Sequence, residues 1–191
     1  VEHFALDQAD EYRPEHNRKP TQAVPAVLRD PQGRRVLRLL RWGLQPGWAR
    51  PDTFKKPLIN ARAESVAQKP AFRDAFRTRR CLVPADVFYE WTGEPGSRTP
   101  WAFALRDGAP MGLAGLWEGR ETSDGWQHSV CIVTCPANAL VAAAHHRMPV
   151  ILPPDVWAAW LDPATPPDQA GALLLPYPAE AMASHPVQGS L

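Results

Sequence analysis

The reactive chemistry open to this chain rests on few side chains: Asn60, Arg62, Glu90, Thr134, His145, His146 and Arg147, with the thiols of Cys81, Cys131 and Cys135. Glu90 follows the apolar run Val87-Phe88-Tyr89 and precedes Trp91, where a strand pattern runs out. A carboxylate there either meets water at a wet strand end or sits in a pocket. In a pocket, desolvation raises its pKa toward general acid/base use. His145 and His146 add imidazoles, the side chains whose charge changes nearest neutral pH. As a metal pair they are poorly placed: adjacent histidines on regular structure point apart, and no Cys or acidic partner stands at a ligand spacing nearby. No metal site is expected.

A thiol hydrolase would need an exposed cysteine with a lowered pKa and a nearby histidine. Cys131 lies in the apolar run Cys131-Ile132-Val133 and reads as a core residue, whereas Cys135, before Pro136 at a strand end, could pair with His145. That alternative stays open here. There is no glycine-rich phosphate loop, nucleophile elbow or dinucleotide fingerprint, so no nucleotide cofactor is expected.

The chain has 191 residues and is 45% hydrophobic, which suits one domain over residues 1–191 with a core that needs no disulfide or metal. An odd number of cysteines without an export signal suits a reducing compartment, and the expected location is the cytoplasm, near the nucleoid. No apolar run is long enough for a membrane span, and a monomer is the default. A formal charge of +1 excludes a generally basic nucleic-acid binder, so any such contact must be local. The basic residues Arg34, Arg35, Arg38, Arg41, Lys55, Lys56, Arg62, Arg73, Arg77, Arg79 and Arg80 crowd positions 34–80, interrupted by Asp52, Glu64 and Asp74. They form either a solvated face or a local anion surface.

The elements that position these groups follow from the apolar pattern. Residues 1–15 read as a short helical piece and a polar loop. Val24–Leu28 and Val36–Leu40 flank the turn Asp30-Pro31-Gln32-Gly33, an antiparallel hairpin. Trp42 to Trp48 presents indoles on a Gly/Pro-rich loop. Pro70 opens a helix through Arg79, and Leu82–Val83 and Val87–Tyr89 are short strands meeting at a bend. Trp101–Leu105, Met111–Trp117 and Ser129–Thr134 continue an antiparallel meander, because short turns cannot join parallel neighbours. Pro136–Ala144 reads as a helix, Val150–Leu152 as a strand and Pro154–Leu161 as a short amphipathic helix. The class is α+β: a mostly antiparallel sheet curled toward a barrel, with helices packed outside.

Several short runs, in order, carry a resemblance. Asn17…Pro20-Thr21-Gln22-Ala23-Val24-Pro25, Trp42-Gly43-Leu44…Pro46…Trp48, Ile59-Asn60-Ala61-Arg62-Ala63-Glu64, Cys81…Pro84-Ala85…Phe88-Tyr89-Glu90-Trp91 and His145…Arg147-Met148-Pro149 resemble the SRAP family, the SOS response-associated peptidase domains. The resemblance implies a sensor and shield of abasic sites in single-stranded DNA that captures them covalently, without a cofactor. In that family an N-terminal cysteine, exposed by autocatalytic removal of the initiator methionine, forms a Schiff base and then a thiazolidine with the opened sugar. An α-amine suits this because its pKa lies near 8.

By the same resemblance, Asn60 orients the cysteine or the opened sugar, Glu90 handles the proton on the amine, and His145 opens the sugar ring and assists reversal. Arg62 and Arg147 hold phosphates, Trp48 and Trp91 with Asn17 and Pro20 line the DNA groove, and Thr134 contributes a hydroxyl. The family's Met-Cys-Gly-Arg segment has no counterpart in these residues, and its Tyr-Asn-Ile-Ala-Pro run stands here as His16-Asn17-Arg18-Lys19-Pro20. The expectation is that crosslinking needs a cysteine ahead of Val1. A loss of that nucleophile would leave a non-covalent binder of single-stranded or damaged DNA.

Overall fold

A computed structural model describes residues 2–49, 56–94, 96–123 and 125–188. Asp52 and Lys55 of the basic run, and the closing Gly189-Ser190-Leu191, lie outside them. The strands are β1 (Gln8–Ala9), β2 (Ala23–Arg29), β3 (Arg35–Trp42), β4 (Asn60–Arg62), β5 (Arg80–Ala85), β6 (Phe88–Thr92), β7 (Thr99–Leu105), β8 (Met111–Thr122), β9 (Gly125–Pro136), β10 (Arg147–Pro149), β11 (Ile151–Leu152) and β12 (Met182–Pro186). Short helices α1 (Arg73–Thr78), α2 (Trp157–Leu161) and α3 (Pro167–Ala172) join them. No helix among the described residues is long and apolar enough to cross a membrane.

Strands β3, β2, β5, β8 and β9 pair antiparallel in that order, and β9 then meets β3 in parallel, Arg41 beside Ser129 and Trp42 beside Val130, closing a five-stranded barrel. The curled antiparallel sheet expected from the turns is thus present, but it closes through a parallel seam. Turn length governs neighbours in sequence; β3 and β9 are far apart in the chain and free of that constraint. A second sheet, β12-β7-β6, stands beside the barrel. Phe103, on β7, is buried and stacks on Phe88 at 5.2 Å, so this small sheet shares the barrel's core.

Residues 82–83 and 88–89 are strands as read, but they belong to different sheets, and the bend at Asp86 is the crossing between them. The barrel strands are buried along most of their length, inside by one another and outside by helices and loops. At Gly115 an added Cβ would sit 2.9 Å from the Cys81 sulfur, so that position admits only hydrogen. Trp160 of α2 is fully buried and donates through Nε1 to the Cys81 carbonyl at 2.8 Å.

Three helical expectations shrink, the first being Pro70 through Arg79, of which only Arg73–Thr78 is α-helix. Residues 2–5 are a turn leading to β1, with Phe4 stacked on Trp157 at 4.7 Å. The alanine-rich stretch after Pro136 forms only a 3-10 turn over Val141–Ala143. Ala137 N–H bonds the His146 carbonyl and closes the segment as a loop, so helix propensity yields to that tertiary bond. Arg80, counted with the basic run, is buried and donates to the carbonyls of Phe76, Arg77, Trp160, Asp162 and Thr165, knitting α1 to α2.

Candidate functional site

Glu90 lies within β6, opposite Trp101, and not at a strand end. The strand continues because Thr92 pairs with Thr99 and its hydroxyl accepts a hydrogen bond from Trp101 Nε1 at 3.1 Å. The Glu90 side chain is 24% exposed, and burial pushes its carboxyl above the ordinary range. A positive charge on His145, whose Nδ1 lies 3.9 Å from Glu90 Oε1, acts in the opposite direction. That separation is an electrostatic contact without a direct hydrogen bond.

His145 is delivered by a loop built from its own sequence. The Asn138 side chain accepts from Val141 N–H at 3.0 Å, as a capping residue does, and donates to the Tyr177 carbonyl at 2.7 Å. His145 N–H bonds the Val141 carbonyl at 2.9 Å. Met148, buried on β10 opposite Cys135, anchors the far side. The His145 Nδ1 lies 3.0 Å from the Arg147 carbonyl and 3.1 Å from the Arg147 N–H. A protonated Nδ1 donates to that carbonyl, and a bare Nδ1 accepts from that N–H. The same main chain therefore supports both neutral tautomers, and Nε2 can act as acceptor in one and donor in the other. The neighbouring imidazoles do not point apart as expected: on this turn their centroids are 4.4 Å apart.

Arg147 is held from two sides. Its guanidinium forms a two-pronged pair with the Glu64 carboxylate, one contact at 2.9 Å, and donates to the Thr134 carbonyl and hydroxyl at 2.7 and 3.2 Å. This pairing holds the Glu64 carboxyl down to about 2. Thr134 is thus positioned by the arginine assigned to phosphate. Neither Glu64 nor Asn138 is assigned a task by the motifs alone; an acid two residues after Arg62 is the signal that marks Glu64.

Strand β4 runs parallel to β9, Asn60 beside Ile132 and Arg62 beside Thr134. Asn60 and Arg62 are both exposed, and their two-residue spacing puts them on one face, about 7 Å apart. Pairings and contacts therefore link Arg62, Thr134, Arg147, His145 and Glu90 in one continuous series. The loop carrying Asn17 and Pro20 meets this edge through Trp42: Thr21 N–H bonds the Trp42 carbonyl at 2.7 Å, and Trp42 Nε1 bonds the Ile59 carbonyl at 3.0 Å. Asn17 and Thr21 bend this loop with φ of 52° and 77°, a conformation more readily taken by Asn than by a branched side chain. Trp48 and Trp91 are 62% and 44% exposed, so both indoles reach the surface. Trp91 projects to the face opposite Glu90, as strand neighbours must.

The thiols fare differently. Cys81, Cys131 and Cys135 are all buried, and burial pushes Cys131 up to about 12 and Cys135 up to about 11. A protonated, enclosed Cys135 is not an activated nucleophile, which removes the basis for a Cys135–His145 hydrolase. Among the described residues, no group of three or more His, Cys, Asp or Glu gathers to hold a metal ion.

A model of the SOS response associated peptidase (SRAP) family matches residues 1–191. The abasic site processing protein YoaM of Bacillus subtilis (strain 168) is 39% identical over 193 residues, covering 98% of this chain and 85% of the relative. The abasic site processing protein HMCES of Gallus gallus is 30% identical over 208 residues, covering 92% of this chain and 62% of the relative. A crystal structure of a protein from Bordetella bronchiseptica superposes with a TM-score of 0.86 at 31% identity, covering 98% of this chain and 93% of that one.

Proposed function

The chain belongs to the SOS response associated peptidase (SRAP) family, and on that premise we propose that it recognises abasic sites in single-stranded DNA and captures the opened sugar covalently. The observation that carries this reading is the Glu90–His145 pair, at 3.9 Å, set beside the exposed Asn60–Arg62 edge. The abasic site processing proteins among its relatives support the same substrate.

The chemistry follows from these groups. His145 takes the proton from the sugar's anomeric hydroxyl and returns one to the ring oxygen as the ring opens to the aldehyde, a transfer that both supported tautomers allow. The α-amine of a cysteine ahead of Val1 attacks the aldehyde carbon; Glu90, made more basic by burial, takes the proton that the amine releases. Loss of water gives the imine, and the thiol of the same cysteine adds across the carbon–nitrogen double bond to close the thiazolidine. Asn60 orients the reacting groups through its amide. Arg62 neutralises a flanking phosphate, and Trp48 and Trp91 offer stacking surfaces to bases. Arg147 acts mainly by fixing Thr134 and the His145 turn, because both of its terminal nitrogens are already engaged. The same site would remove the initiator methionine.

The test is a protein carrying Met-Cys-Gly-Arg ahead of Val1, incubated with single-stranded DNA containing one abasic site and resolved under denaturing conditions. A stable adduct that disappears when the new cysteine is replaced by alanine is expected. Salt-sensitive binding with no adduct would leave a non-covalent binder, and neither binding nor adduct would end the proposal.

A further inference from the structure

The register of β6 on β7 sets side chains in facing pairs: Phe88 opposite Phe103, Glu90 opposite Trp101 and Thr92 opposite Thr99. Residues directly opposite in an antiparallel pair share a face, with their Cβ atoms about 5 Å apart. Glu90 therefore stands in a row of aromatic rings. Phe88 and Phe103 stack at 5.2 Å to one side of it, and Phe103 is buried. Trp101 faces it across the ladder, and the indole Nε1 donates to the Thr92 hydroxyl at 3.1 Å. Thr92 is two residues beyond Glu90 on the same face, so this bond draws the indole along β6, away from Phe88 and toward the space between the Glu90 and Thr92 side chains.

The charged groups near this row lie on one side of it. Tyr89 and Trp91 project from the reverse face of β6, and Pro100 and Ala102 from the reverse face of β7. On β12, Ser184 and Pro186 stand opposite Phe103 and Trp101, while His185 pairs with Ala102 and so takes the reverse face. His145 Nδ1 lies 3.9 Å from Glu90 Oε1, His146 lies beyond it with the ring centroids 4.4 Å apart, and Arg147 is tied to Glu64 and Thr134. Burial is the larger influence on the Glu90 carboxyl and raises it, and the charge of His145 works against that. An indole has one donor, and here it is spent on Thr92. Trp101 thus offers the carboxylate no hydrogen bond, and its effect on Glu90 is to exclude water.

We infer that Trp101 is a positioning residue for the capture reaction: its indole, pinned to Thr92, walls the Glu90 carboxylate off from water on the side away from Phe88 and leaves it facing His145. The inference rests on the proposed function above. A carboxylate in open water is a weak acceptor for the proton that the attacking amine releases. One kept dry by an aromatic wall holds that proton more tightly and serves better as a base. Thr92 is the pin of this arrangement, since without its hydroxyl the indole is free to turn and admit water.

The experiment begins with the chain itself. The Glu90 carboxyl is titrated by NMR with isotope-labelled glutamate, E90Q supplying the assignment, in wild type, W101A, W101F and T92V, and again with H145Q added to remove the opposing charge. W101A should move the midpoint down toward the ordinary carboxylate range, and T92V part of the way. W101F keeps an aromatic wall and should stay near wild type. In the form with Met-Cys-Gly-Arg ahead of Val1, the acid limb of the rate of adduct formation against pH should be displaced to lower pH in W101A, with the rate at neutral pH lower on the order of ten-fold. An unmoved midpoint in W101A and T92V, or a uniform loss of rate with the acid limb in place, overturns the inference. Should W101A fail to fold, T92V decides, because valine keeps the strand and removes only the pin; a wild-type midpoint in T92V then overturns it. A wild type that forms no adduct while W101A still moves the midpoint ends the proposed function and leaves the wall around Glu90 standing.

Discussion

Arg147 grips the carboxylate of Glu64 with both terminal nitrogens while its own main chain brackets the imidazole of His145. An ion pair formed outside the reactive groups thus sets where the histidine ring can sit. The pair is stronger than an ordinary surface bridge because it is two-pronged and Arg147 is 14% exposed, although the Glu64 side chain is 51% exposed and screened by water.

Replacing Glu64 by Gln should therefore cost at most about 1 kcal/mol at pH 7 after that screening. The sign is fixed by direction: a carboxyl lowered to about 2 on folding adds stability above its ordinary value near 4.5, and that stability is lost as pH falls toward about 2. Thermal unfolding of wild type and E64Q from pH 7 to pH 2 should show curves that converge in acid. A structural role alone would leave the His145 ring resonances at fixed pH unmoved in E64Q; positioning through Arg147 predicts that they move.

Glu90 has the opposite sign. Its carboxyl is raised by burial, so the folded state holds its proton more tightly and stability falls as pH rises above about 4.5 through the folded value. Glu90→Gln should raise the melting temperature at pH 7 and match wild type in acid. In the cysteine-bearing form it should also slow adduct formation, on the order of 10²-fold for loss of a general base. A variant that melts lower at pH 7 would recast Glu90 as a structural residue.

Cys135→Ala should leave the DNA adduct intact in that same form, and iodoacetamide should label Cys135 slowly until the protein unfolds, since its thiol is enclosed and held near 11. Rapid labelling of the folded protein would reopen thiol chemistry at this position.

Gly115→Ala tests the barrel. The added Cβ would press on the Cys81 sulfur at 2.9 Å and the Cys131 carbonyl at 3.3 Å, with barrel strands on both sides and no room to yield. A loss of about 1–3 kcal/mol is expected by denaturant unfolding. No loss would mean that β5 and β9 yield around β8 here more easily than their pairing with it suggests.

Local patterns were enough to read the β2–β3 hairpin, the strands around Glu90 and the amphipathic α2, because each depends on nearby turn residues and alternating apolar positions. The ordered runs containing Asn60, Glu90 and His145 were likewise enough to suggest which side chains share a task. Composition could not say whether Glu90 was wet or buried, since its burial comes from segments distant in sequence. Nor could it show that Arg80 is internal while Arg41 is not: both look alike in a basic run, and only the surrounding carbonyls or solvent separate them. The parallel β3–β9 seam, the collapse of the alanine-rich helix into a loop and the Glu64–Arg147 clamp were decided by tertiary structure. Each rests on contacts between residues far apart in the chain, which propensity and periodicity do not encode.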